Sequence, residues 1–119
     1  MKEIKVFEEA KFGNIKNLRE AGINPTMYWA YFYSKEAGND LIDFNDVIWD
    51  DDIPEIVRTC RENGIREFTI STTMSSIIKT FAEFEKLGCK MFGIMQVKTR
   101  FDNFLTGKKD IIPAIKMIL

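Results

Sequence analysis

"DDDIPEIVRTCRENGIREFTIS", Asp50 to Ser71, changes its hydrophobic period partway along. Ile53, Ile56, Val57 and Cys60 recur at helical spacing. The stretch carries helix start and stop signals: Asp52 as cap, Pro54 in the first turn, Glu55 three residues after the cap, and Gly64 as the stop. From Ile65 the pattern shortens, and "IREFTIS" sets Phe68, Thr69 and Ile70 among β-favouring residues, which predicts a central strand. A helix running straight into a strand is the unit from which α/β sheets are built, because the crossover helix covers one sheet face.

The same alternation extends both ways. Upstream, "NDLIDFND" offers a short strand over Leu41 to Phe44. Downstream, a helix from Ser75 to Leu87 presents Ile77, Ile78, Phe81 and Phe84 and stops at Gly88. "CKMFGIMQVKTR" is the longest apolar run and predicts a buried strand, with Gly93 marking a bulge or a close backbone approach. Turn chemistry at Thr106 and Gly107 joins it to "IIPAIKMIL", which Pro113 assigns to a sheet edge or a strand start. Towards the amino terminus, Glu8 to Ala21 predicts a helix with Ile15 and Leu18 on one side, stopped by Gly22; Gly13 inside it costs about 1 kcal/mol. In "NPTMYWAYFYSKEAG", Asn24 can cap, Pro25 suits the first turn, and Gly38 can take the left-handed stop, so the aromatic run reads as a second helix. The expected fold is one α/β domain over residues 1–119. It has a mixed sheet of about four strands, three parallel and the last antiparallel through a C-terminal hairpin, with helices packed on it and two leading N-terminal helices.

Composition excludes several chemistries. The 119 residues contain no histidine, so an ordinary Ser-His or Cys-His nucleophile pair is absent, and a structural zinc site would lack its usual nitrogen ligand. Cys60 and Cys89 lie outside any CxxC pattern and read as free thiols packed like small hydrophobes. Net charge is −1, too small to draw nucleic acid or an anionic membrane by a global field. Residues 41–57 carry acids and no base, whereas the segment after them is mildly basic. The charged start "MKEIKVFEEAKFG" lacks a signal peptide's apolar run, and no window approaches the length of a membrane span, so the protein is expected in the cytoplasm.

The stretches "SKEAGNDLIDFNDVIWDDDI", "EFTIST", "LGCKMFGIMQV" and "IPAIKMIL" resemble a family of small bacterial proteins of unknown function, over about Ser34 to Leu119. The resemblance implies a compact α/β domain. It attaches no activity, cofactor or catalytic residue to any position.

In parallel α/β sheets, ligands collect beyond the carboxyl ends of strands, where helix starts present free N–H groups. Three strand ends should converge here, bringing Asp43, Asn45 and Asp46 to the hydroxyl run Ser71, Thr72, Thr73, Ser75 and Ser76, and to Gln96, Lys98, Thr99 and Arg100. Such hydroxyls could cradle a phosphate-bearing small molecule with Arg100 as a cationic lid. Ser and Thr at a helix start also serve simply as caps and turn formers. P-loop and dinucleotide fingerprints are both missing, so no cofactor is assigned, and no catalytic residue. Asp43, Asp46 and Asp50 to Asp52 could hold Mg²⁺, but acids before a helix are favoured by its dipole, and no metal is assigned. Lys98, Arg100, Lys108 and Lys109 interleave with Phe101 and Phe104, yet lysines at a hairpin also protect sheet edges, which makes nucleic acid the lesser expectation.

The aromatic helix is apolar around most of its circumference. Tyr28 and Phe32 can face the sheet; the rest of the helix is covered either by the amino-terminal helix or by another chain, and Trp29, Tyr31 and Tyr33 are the candidates for an interface with a protein partner or a second copy. The leading expectation is a non-enzymatic binding protein using this helix; the alternative is a phosphate or nucleotide site at the strand ends.

Overall fold

The computed structural model describes residues 1–10 and 15–119. In chain order the elements are α1 (Lys5–Glu9), α2 (Ile15–Glu20), α3 (Pro25–Ala37), β1 (Asp43–Phe44), α4 (Asp52–Glu62), β2 (Glu67–Ile70), α5 (Ile77–Lys86), β3 (Lys90–Asp102) and β4 (Lys109–Ile118).

Helix α3 forms as its flanks predict. The Asn24 side chain accepts from the Met27 N–H at 3.0 Å, Pro25 occupies the first turn, and Gly38 closes the helix in the left-handed region at φ 82°. The single helix expected over Glu8 to Ala21 is instead two short ones. The first is capped at Ala10 and the second begins at Ile15; Gly13 lies outside the described residues, as does the side chain of Ile15. Tertiary burial outweighs propensity here: α1 starts early enough to set Phe7 edge-on against Tyr28 and Tyr31 of α3, with centroids at 5.8 and 5.5 Å. Gly22 ends α2 at φ 76°, and the Ile23 N–H returns to the Leu18 carbonyl at 2.8 Å.

The sheet is four-stranded and mixed, in the order β1-β2-β4-β3. Only β1 and β2 form a parallel pair, with Asp43 opposite Thr69 and Phe44 opposite Ile70. The expectation of three parallel strands with the antiparallel one last is therefore corrected: β4 inserts between β2 and β3 and runs antiparallel to both. A short hairpin loop, residues 103–108, makes the β3–β4 pairing local and inexpensive in loop entropy, and β4 then presents its second edge to β2.

Pro113 consequently sits within a central strand, not at an edge. It pairs with Gln96 of β3, while on the other side β2 has already ended, since Ile70 pairs with Ile115. No strand there requires the N–H that proline lacks. Strand β3, expected to be buried, is an edge strand with most of its side chains exposed. Its register shifts between Met91 and Gly93, leaving Phe92 as the extra residue of a bulge, as Gly93 foretold.

One sheet face carries Phe44, Phe68 and Ile70, with Phe68 edge-on to Phe44 at 5.5 Å and tilted against Phe84 of α5 at 5.3 Å. Burying each such ring stabilises the fold by about 1.5–3 kcal/mol. Ile78 is turned out to solvent despite its place in the apolar pattern of α5. The other face carries Asp43 and Thr69 and meets α3 through Ser34. The sheet curls around α3, so that the distal part of β3 returns to the loops beside β1. The Asn39 carboxamide accepts from the Lys98 N–H and donates to the Lys98 carbonyl, both at 2.8 Å, in imitation of a paired strand.

Candidate functional site

At the carboxyl ends of β1 and β2 the polar groups turn inward. Asp43 is buried, accepting from the hydroxyls of Thr69 and Ser71, each at 2.6 Å, while its N–H donates to Ser34 Oγ at 2.8 Å. Asn45 donates to Ser71 Oγ at 2.9 Å and completes the cluster. Burial holds the Asp43 carboxyl above the usual carboxylate range, against the opposing pull of the Ser71 and Thr69 hydrogen bonds.

The hydroxyl run does not act as a unit. Ser71 belongs to the Asp43 cluster, and the Ser71 and Thr72 N–H groups both donate to the Phe44 carbonyl. Thr73, Ser75 and Ser76 are exposed, and Ser76 occupies the cap position of α5 without a side-chain cap bond. Ser76 instead borders a separate groove of about 440 Å³ with Trp49, Asp50 and Lys79, where Lys79 pairs with Asp50 at 3.0 Å.

Arg100 does reach the strand ends, but it arrives engaged. Its guanidinium pairs with Asp46 at 3.3 Å and lies over the rings of Tyr33 at 4.1 Å and Phe101 at 4.7 Å. Trp29 stacks on Tyr33 with centroids 5.7 Å apart, which completes a surface ladder from α3 to β3. The cleft between Ser34, Asn39, Asp43, Asp46, Thr99 and Arg100 has a volume of about 30 Å³. A cavity needs roughly 10–15 Å³ to admit one water, so this space suits water and not a nucleotide.

Asp52 is a hub that sequence reasoning assigned only as a cap. It is buried and accepts from Asn24 Nδ2, Thr26 Oγ1 and the Trp49 N–H at 2.9, 2.9 and 3.0 Å, tying the starts of α3 and α4 together. Asp51 takes the cap position, and Glu55 accepts from Asn24 instead of closing a capping box. The available signal was two cap-type residues, Asn24 and Asp52, each before a helix. The thiols are quiet: burial pushes Cys60 up to about 12 and raises Cys89 as well.

Of the aromatic candidates, Tyr31 is corrected outright. It is 0% exposed, with its hydroxyl donating to Glu8 at 2.8 Å and accepting from the Ile4 N–H at 3.3 Å. Tyr33 is half-buried under Arg100, and Trp29 remains 41% exposed. Larger apolar exposure lies where a buried strand was expected. Phe92 and Ile94 of β3 are 69% and 64% exposed, Met91 and Ile111 are also open, and Phe104 at the hairpin tip is 96% exposed.

Residues 26–119 match the family model of a domain of unknown function, DUF7698. The chain belongs to this family. The match takes in α3, the whole sheet and the ribbon, so the strand-end cluster and the exposed edge both fall within the family domain. Neither the curated proteins nor the solved structures searched contain a match to the chain. Among the described residues, no helix is long and apolar enough to cross a membrane.

Proposed function

We propose that this protein is a non-enzymatic interaction module whose contact surface is the β3–β4 ribbon, joined to Trp29 of α3 by the Tyr33–Arg100–Phe101 ladder. The observation that carries this reading is the run of exposed apolar side chains, Met91, Phe92 and Ile94, along a free sheet edge. Edge strands with such a run invite pairing, and apolar surface of this kind marks contact sites. The aromatic helix contributes through Trp29 and Tyr33 and not through Tyr31.

The alternative, a phosphate or nucleotide site at the strand ends, has less support. The Asp43 carboxylate and the Arg100 guanidinium are already satisfied by internal partners, and the space between them is water-sized.

A photo-crosslinking amino acid placed at Ile94 or Phe104 in cells tests the proposal, with Glu85 on α5 as an exposed control position. Protein adducts are expected from the ribbon positions and not from Glu85. No adduct from the ribbon, or equal labelling everywhere, would remove it.

A further inference from the structure

We infer that the occupant of the β3 edge is a second copy of this chain, its β3 lying antiparallel about a two-fold axis at Ile94. This rests on the ribbon being a contact surface and names what covers it.

Geometry defines the open part of the edge. Between Gly93 and Lys98 the register with β4 is regular, and the Lys98 N–H and C=O face Asn39, away from β4. By the two-residue period, the groups of Ile94 and Gln96 face the same way. Asn39 has taken those of Lys98, so Ile94 and Gln96 are left to bond a neighbour. With the axis at Ile94, that residue exchanges its hydrogen bonds with its own copy. Gln96 then meets the second copy's Met91, because the bulged Phe92 takes no place in the ladder. The pairing ends where the second copy's Lys90, the first residue of β3, falls opposite Val97, one step short of Lys98, and beside Asn39 and Asp40.

Charge selects a copy of the same chain. Lys90 and Asp40 are both exposed, and among the described residues neither has an ion-pair partner. They stand at opposite ends of the open edge, so a two-fold axis brings each Lys90 to the other copy's Asp40 and makes two complementary contacts at once. Lys90 pairs with Ile118 and Lys98 with Ile111, which places these two lysines on opposite sheet faces and keeps their like charges apart. A groove of about 180 Å³ between Asp40, Leu41 and the Met95–Lys98 stretch receives the incoming end. So short a pairing buries at most about 1,200 Å², the lower end for specific interfaces, so the dimer should be weak.

Sedimentation equilibrium of the full chain, from about 1 to about 500 µM, brackets such an affinity. The wild type should dimerise. Lys90→Asp and Asp40→Lys should each weaken the dimer by about five- to tenfold, and the double variant should restore it. Ile94→Pro, which deletes an outward N–H, should leave a monomer, and Trp29→Ala should still dimerise. A chain that stays monomeric throughout overturns the inference, as does a dimer indifferent to the charge reversals. Ribbon crosslinks to other proteins alongside a monomer would overturn self-pairing alone; absence of any ribbon adduct would overturn the contact surface itself.

Discussion

The strand ends and the β3–β4 ribbon are opposites, and each reverses the rule for its chemistry. At the strand ends Asp43, Thr69 and Ser71, and at the helix starts Asp52, are polar and buried, and every one has a hydrogen-bond partner. Along the ribbon, Met91, Phe92, Ile94 and Phe104 are apolar and open to solvent. Buried polar groups with complete partners hold a structure in one arrangement, whereas exposed apolar groups contribute little to folding and gain only when something covers them. The cluster that looks most like an active site thus has its polar groups paired internally, and the stretch that looks most like core is the accessible surface.

Substitutions should separate the two regions by their effect on stability. The largest loss is expected from Tyr31→Ala, about 3–5 kcal/mol by analogy with other buried rings, seen as a lower denaturant midpoint. Asp43→Ala or Asp52→Ala should each cost about 2–4 kcal/mol, because their former donors stay buried without acceptors. The same urea titrations would break the contrast if these variants unfolded like the wild type. Asn24→Ala should cost about 2–3 kcal/mol, through the lost cap and the lost donor to Asp52 and Glu55, and Ser76→Ala, which removes no cap bond, should stay within about 0.5 kcal/mol. Phe92→Ser and Ile94→Ser should also remain within about 0.5 kcal/mol of the wild type while weakening self-association.

A smaller effect comes from pH. Burial raises the Asp43 pKa in the folded chain, so the folded state binds that proton more tightly than the unfolded one. Its contribution to stability therefore grows as pH falls through the raised folded value and levels off below the ordinary carboxylate range. Asp43→Asn should remove this component from the pH dependence of the unfolding midpoint; an unaltered profile would mean that the burial cost is not felt.

Much of the fold could be read locally. Asn24, Pro25 and Gly38 bound α3, Gly64 follows α4 in the left-handed region at φ 68°, and β2 and the Gly93 bulge occur where their residues indicate. Strand order could not be read, because periodicity states which face a strand buries and not which strand lies beside it. That gap explains why "CKMFGIMQV" suggested the interior: an apolar run is the same on a central strand and on a sticky edge. The meeting of Asp43, Ser71 and Arg100 could be anticipated from the strand ends, but not that Tyr33, Asp46 and Thr69 would occupy their bonding capacity. Burial of Tyr31 depended on α1, whose short apolar pair, Ile4 and Phe7, carries little signal by itself.

The Asn39 carboxamide on Lys98 limits how far any strand can zip along this molecule. At the far side of the sheet, β1 is only two residues long and offers almost nothing to extend. Growth into a filament needs two usable margins on every subunit, and the described residues supply one, already shortened. A strand docked there would complete such an assembly in a single step.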